Sequence, residues 1–557
     1  MLGRKGLGLR LLALAGALAL AALIYRISAP PERPIPAVEH QNPEITRVIS
    51  LAQGDLTGVY TQDKAVEVYA GIPYAKPPVG ELRWREPQAP EPWEGVLACD
   101  HFAPMSMQPR TSPLWASLTD LFGYHRFQLS LKDNFLEPMS EDSLYLNIWK
   151  PAGDQKGLPV LVYIHGGSLT TGQPSFADYN GESFARRNVV VVNFAYRLGV
   201  FGYMAHESLA AESPNGSTGN YGLLDQIQAL KWVQANIAAF GGDPDNVTIA
   251  GESAGASSVN ALCVSPLSEG LFVRAVAESS GITAKVPYHT FRSLEEAKET
   301  GEAIRQEFGA ADLAALRKIP AERLVNTVHP NSDMTVDGYA LTEQPWQTYA
   351  RGANHETALL QGFNSHEADV FCMGTKVDAE NYVERLRPLY GDWAQEAAAI
   401  LPAAPQDPAY VFPTDRGGSA KGSYNEAVSA AWFTYSHYNW ARLLTAQGVP
   451  VYSYYFTKDN RSLGPHHSGE LPYFYGNLHR RPGLYDARDL ALSQQIMDYY
   501  LSFLRDGDPN CDNLPPWPSW AQAPNQLLRL DETLELVEDP YLPLYPLIDR
   551  YQDALVP

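Results

Sequence analysis

Apolar residues fall into two kinds of run along this chain. Leu158–His165 (LPVLVYIH) and Val189–Ala195 (VVVVNFA) are continuous and rich in Val, the pattern of strands buried on both faces. Asn246–Ala250 (NVTIA) is a third such run and leads directly into Gly251, and Thr357–Gly362 and Val451–Thr457 are further strand candidates. Between them, Leu223–Phe240, Tyr424–Gln447 and Leu490–Asp506 carry the mixed periodicity of amphipathic helices. Gly241-Gly242 ends the first and Gly448 the second. Strands alternating with helices predict a mostly parallel central α/β sheet with helices on both faces. The shorter, turn-punctuated runs of 59–84 predict an antiparallel edge. No repeat, heptad or second linker interrupts residues 45–557, which read as one domain.

The first residues have a different grammar. Arg4, Lys5 and Arg10 precede an uncharged Leu/Ala-rich run over 11–25, the pattern of an export signal. As a helix that run spans roughly 22 Å at ~1.5 Å per residue, short of a ~30 Å hydrocarbon core. Snorkelling by Arg10 and Arg26 could extend it. Residues 1–28 therefore read as a signal peptide or an N-terminal membrane anchor, with export (periplasmic, secreted or membrane-attached) expected either way. Residues 29–44, with Pro30, Pro31, Pro34, Pro36 and Pro43, read as an extended linker.

Composition removes several classes of function. Hydrophobic residues are 45% and charged residues 19% of 557, enough apolar material to exclude global disorder. The formal net charge of -21 disfavours nucleic-acid binding, which needs a basic surface. Cys99, Cys263, Cys372 and Cys511 are scattered, with no metal-binding spacing. No GxGxxG, Walker or HExxH motif stands out, so neither an organic cofactor nor a metal is expected.

The chemistry is concentrated in Gly251-Glu252-Ser253-Ala254-Gly255, the one GxSxG in the chain. It follows a β-branched strand and leads into small residues, the setting in which a sharp turn lifts a nucleophilic Ser above a sheet. A Ser hydroxyl needs a base to take its proton, and the oxyanion it creates needs N–H donors already in place. The N–H of Ala254 is one. The others should come from the loop after an earlier central strand, and Leu158–Ile164 ends in His165-Gly166-Gly167-Ser168.

Further blocks, in order, carry a family resemblance. They are 70–75 (AGIPYA) with Leu82-Arg83-Trp84, 141–149 (EDSLYLNIW), 163–167, 193–202 (NFAYRLGVFG), 219–226 (GNYGLLDQ), 240–244 (FGGDP) and 507–510 (GDPN) with Trp517-Pro518. Together they resemble the type-B carboxylesterases, the cholinesterase-like family of the α/β-hydrolase fold, over roughly residues 47–530. The resemblance implies a Ser-Glu-His triad acting on small-molecule carboxylic esters. Its acid block aligns with Gly362–Ala368 and makes Glu367 the acid, with His366 and Ala368 departing from the pattern and Asp369 a rival. Its base block aligns with 464–472 and favours His467 over His466, because Glu470 and Leu471 then fall in register. It places the oxyanion donors at Gly167, Ser168 and Ala254. It also suggests supporting roles for Glu252 and Ser280.

Where relatives carry a disulfide, this chain has Ser106 and Ser143. Asp133 stands where cholinesterases carry an aromatic, so that activity is not expected. The loop of 107–142 carries Trp115, Phe122, Tyr124, Phe127 and Phe135. The leading reading is an ester hydrolase working through an acyl-enzyme. Feruloyl or aromatic esters, carbamates, amides and long-chain lipids stay open as substrates, and a non-catalytic recognition protein is the alternative of another class.

Overall fold

The Val-rich runs form the middle of a large sheet because alternate residues can be buried on opposite faces. In Leu158–Ile164, Val160, Val162 and Ile164 join one hydrophobic core, and Leu161 and Tyr163 join a second. In Val190–Phe194, Val190, Val192 and Phe194 join the first core and Val191 the second. Each fully buried aliphatic side chain contributes about 1.5–3 kcal/mol, so these runs are pinned where both faces are covered.

The structure, a computed structural model, describes residues 34–39, 41–110, 137–372, 374–403, 419–459, 464–480 and 483–556. The body formed by 37–108 and 139–557 contains the sheet. Among the described residues its strands are β1 (Gln41–Ile45), β2 (Val59–Thr61), β3 (Val66–Pro73), β4 (Tyr145–Pro151), β5 (Leu158–Ile164), β6 (Val190–Phe194), β7 (Gly242–Glu252), β8 (Arg274–Glu278), β9 (Leu359–Asn364), β10 (Val451–Phe456), β11 (Gln526–Leu530) and β12 (Glu535–Glu538). Their spatial order is β1-β2-β3-β4-β6-β5-β7-β8-β9-β10-β11-β12. Pairing is parallel from β6 through β11 and antiparallel at both ends. The expected parallel sheet and its antiparallel edge are both present.

Helices cover both faces. On the first face lie α1 (Tyr221–Asn236) and α2 (Ala254–Val264), with Leu223, Val233, Val259 and Leu262 in the first core. Farther along the chain come α3 (Ala420–Ser429) and α4 (Tyr435–Ala446); Trp440 and Leu444 of α4 join the same core. On the opposite face α5 (Ala487–Asp506) places Leu492, Ile496 and Leu504 in the second core.

Three expectations are corrected. The stretch Leu223–Phe240 is not one α-helix: α1 ends at Asn236, with only the stripe of Gln228, Lys231, Gln234 and Ala235 turned outward, and Ile237–Phe240 continues as a 3-10 turn, while inside Asp225 accepts from Arg197 and Gln226 Nε2 donates to Ser258 Oγ. The stretch Tyr424–Gln447 is not one regular helix: Ala430–Thr434 is a π-helical turn between α3 and α4. The body also begins before residue 45. Val38 is buried and its N–H donates to Asp100 C=O at 3.0 Å, and β1 pairs with β2 inside the stretch read as linker. Pro43 fits there because β1 is an edge strand, where a missing N–H costs little. Residues 1–28 and the aromatic residues of the 107–142 loop lie outside the described residues.

Candidate active site

The site forms where parallel strands end together. Ile164 of β5 pairs with Gly251 of β7, Glu252 with Glu278 of β8, Glu278 with Gly362 of β9, and Asn364 with Phe456 of β10. The loops leaving these strands therefore start side by side, the usual place for a site in a parallel sheet.

Ser253 joins β7 to α2 with φ 56° and ψ −126°, a conformation that an L-residue adopts only under constraint. Its N–H donates to Glu278 C=O at 2.9 Å. The flanking glycines are required by contact: a Cβ on Gly251 would lie 2.5 Å from the Gly255 backbone, and one on Gly255 would lie 2.1 Å from Ile164 O. The Ser253 hydroxyl makes no hydrogen bond among the described residues.

His467 donates from Nδ1 to Glu367 Oε2 at 2.6 Å, and the Asn364 N–H donates to Glu367 Oε1 at 2.6 Å. Glu367 is fully buried. Its rival Asp369 instead accepts from Asn425 Nδ2 at 3.0 Å, and burial pushes its carboxyl up to about 6. His466 turns Nδ1 to the carbonyl of His467 at 2.7 Å. The structure thus brings Glu367 and His467 together and leaves Asp369 and His466 to other partners. It does not join Ser253 to His467 by a hydrogen bond.

The other nitrogen of His467, Nε2, stands 3.2 Å from Glu252 Oε1 but without hydrogen-bond geometry. Burial alone would push the imidazole down; Glu252 and then Glu367 outweigh it and carry it up to about 9. Glu252 itself is raised by burial, against the pull of His467 and of Ser468, whose Oγ donates to Oε1 at 2.5 Å. Below lie two more buried acids. Glu470 accepts from Asn364 Nδ2 and from Ser279 Oγ, and burial, then Glu252 and Glu367, raises it to about 8. Glu278 has no partner at either oxygen among the described residues, and burial raises it well above the usual range.

Gly167, Ser168 and Leu169 have successive positive φ (104°, 54° and 56°), so the loop after β5 folds on itself, with Thr170 and Thr171 N–H both donating to Gly167 O. The N–H groups of Gly167, Ser168 and Ala254 donate to no acceptor among the described residues. Gly166 lies against Ser253: a Cβ there would sit 3.1 Å from Ser253 Cβ. Two aromatic rings pack against the imidazole, and a third, Trp432, packs against both of them. Phe371, 42% exposed, and Phe433 each have ring centroids 5.0 Å from His467. Phe433 and Trp432 come from the π-helical turn, and Trp432 C=O accepts from His289 Nε2 at 2.8 Å.

Sequence reasoning had no signal for Ser468, Glu278 or the Trp432-Phe433 pair, whose approach to the site is tertiary. It named Ser280, but that hydroxyl pairs with Ser257 at 2.8 Å, and the neighbouring Ser279 is the one that reaches Glu470.

Comparison with known proteins adds an independent line. A family model described as the carboxylesterase family matches residues 45–542. The chain is 33% identical over 506 residues to the fumonisin B1 esterase of Sphingopyxis macrogoltabida, covering 87% of this chain and 86% of that protein. It is 35% identical over 505 residues to the acylcarnitine hydrolase of Mus musculus, covering 86% of each. Among solved structures it is similar to the Geobacillus stearothermophilus carboxylesterase EST55, with a TM-score of 0.75 and 32% identity, covering 91% of this chain and 99% of that one.

Proposed function

The chain belongs to the carboxylesterase family and is a hydrolase of small-molecule carboxylic esters, and on that premise we propose that it works through an acyl-enzyme on Ser253. The observation that carries this reading is the 2.6 Å bond from His467 Nδ1 to the buried Glu367, beside a strained Ser253 elbow. Ser253 Oγ attacks the ester carbonyl while His467 Nε2 takes its proton. The oxyanion accepts from the N–H groups of Gly167, Ser168 and Ala254, which have no competing protein acceptor among the described residues. Glu367 fixes the imidazole tautomer and stabilises the imidazolium. That imidazolium protonates the departing alcohol, and water then releases the acid by the same route.

The rings of Phe371 and Phe433 beside His467, with Trp432 packed against both, favour esters carrying a bulky apolar or aromatic group. This supports the aromatic-ester reading over acetate-sized substrates.

Ser253→Ala tests the mechanism. It should lower kcat by ~10⁴–10⁶ and abolish labelling by a fluorophosphonate, with an unchanged melting temperature. More than a tenth of wild-type rate would assign the nucleophile elsewhere. A p-nitrophenyl ester panel from acetate to palmitate, with a benzoate, reads the substrate preference.

Residues 1–28 are proposed as an export address and 29–36 as the spacer before the body. Deletion of 1–33 should retain the enzyme in the cytoplasm with full specific activity, because among the described residues backbone bonding to the body starts at Val38. Inactive or insoluble protein on that deletion refutes the assignment.

A further inference from the structure

Ser468 has a backbone that serines avoid, with φ 66°. A non-glycine residue in the left-handed region persists where its surroundings over-determine it, and such sites gather where geometry serves function. What holds Ser468 there is visible: its Oγ donates to Glu252 Oε1 at 2.5 Å. That same oxygen stands 3.2 Å from His467 Nε2, the nitrogen that must receive the proton of Ser253. One carboxylate oxygen is thus shared between a fixed hydroxyl and the working edge of the imidazole.

We propose that Ser468 is a positioning residue whose hydroxyl holds Glu252 ionised beside His467 Nε2 and so sets the pH below which the imidazole stops acting as a base. The inference rests on the reading of His467 as that base. A hydroxyl donating to a carboxylate stabilises the charged form, and a charged carboxylate at 3.2 Å keeps a proton on Nε2. An imidazolium cannot accept the Ser253 proton. Without the hydroxyl, burial drives Glu252 towards its neutral form, the hold on the Nε2 proton weakens, and neutral imidazole persists to lower pH.

Other groups face this pair, and none is controlled by Ser468. Glu367 is committed to Nδ1 and to the Asn364 N–H. Glu470 accepts from Asn364 and Ser279. Glu278 is raised by burial and then by Glu470 and Glu252. Tyr163, Tyr179 and Tyr454 are raised by burial and stay neutral. His289, pushed down to about 4 by burial, is uncharged at working pH.

The experiment is the pH profile of kcat/KM for p-nitrophenyl butyrate in wild type, Ser468→Gly, Glu252→Gln and the double variant. Glycine accepts the backbone angle, so Ser468→Gly removes the hydroxyl without strain. Its acid limb should move to lower pH by at least half a unit, about a threefold gain on the limb relative to its own plateau. Glu252→Gln should move the limb the same way, and adding Ser468→Gly should move it no further. Ser468→Asn, which tolerates this backbone and keeps a donor, should stay nearer wild type. A Ser468→Gly limb that is unmoved or raised overturns the proposal, as does an equal shift in the Glu252→Gln background. His467→Ala separates the two readings. If it keeps more than a tenth of wild-type rate, the base assignment fails; if it is inactive while the Ser468→Gly limb stays put, only this inference fails.

Discussion

His467 lies between two carboxylates with opposite consequences. Glu367 on Nδ1 orients the ring, whereas Glu252 draws a proton to Nε2. The geometry ranks four substitutions. His467→Ala should cost kcat ~10⁴ or more, whereas His466→Ala, whose ring is turned to a backbone carbonyl, should cost little. Glu367→Gln should impair catalysis far more than Asp369→Asn, because Asp369 is bound to Asn425. Initial rates of purified variants decide it, and a reversed ranking in either pair would overturn the assignment. The sign of the pH dependence follows from the raised imidazole, at about 9 beside ionised carboxylates. Protonation removes the base, so kcat/KM should fall as pH drops, with a midpoint above the ~6.5 of a free imidazole. A rate still flat at pH 4 would exclude a histidine base. At this scale the Ser253 elbow was legible because GxSxG encodes a local backbone need. Glu367 and His467 were legible only as family blocks, and Ser468 not at all, since nothing local marks a serine that meets a glutamate 216 positions away.

Elements were legible where one periodicity dominates. β5 and β6 follow the Val-rich runs because both faces of those strands are buried. Their spatial inversion, β4-β6-β5-β7, was not legible, since pairing order depends on crossover handedness and not on the composition of a strand. The π-helical turn shows a different limit. Over 424–447 the apolar spacing suits a regular helix, yet Ala430–Thr434 widens by one residue and presents Phe433 beside the His467 ring. Such a bulge frees a backbone carbonyl from the ladder, and here Trp432 C=O is taken by His289. The gain is a ring beside His467, a tertiary reason with no trace in the local pattern. β1 is the converse case: Pro-rich sequence reads as linker, but an edge strand tolerates a proline that a central strand would reject.

For the whole molecule, Ser106 and Ser143 test how the body is held without a cross-link. Both are buried, and their hydroxyl oxygens lie 3.0 Å apart. Ser106 donates to Tyr196 C=O at 2.8 Å, so Ser143 donates to Ser106. Side chains already aimed at each other suit the ~2.05 Å sulfur–sulfur bond of a disulfide. Ser106→Cys with Ser143→Cys should therefore oxidise readily. For a closed loop of this length, the loss of chain entropy in the unfolded state is about 4 kcal/mol, an upper value. Against it stands the lost pair of hydrogen bonds, about 1 kcal/mol each. The net gain of about 2 kcal/mol is spread over the unfolding entropy of a large domain, so the melting temperature should rise by only about 2 °C. Calorimetry of the oxidised double variant with and without reductant measures that difference, and thiol titration under denaturant counts the bridge. The four native cysteines are free and set the baseline. If all six thiols remain titratable after oxidation, the two backbones do not approach as the hydroxyl pair indicates. If the bridge forms and reductant leaves the melting temperature unchanged, strain at the site equals the entropy gained, and the serine pair already holds this junction as well as a covalent link would.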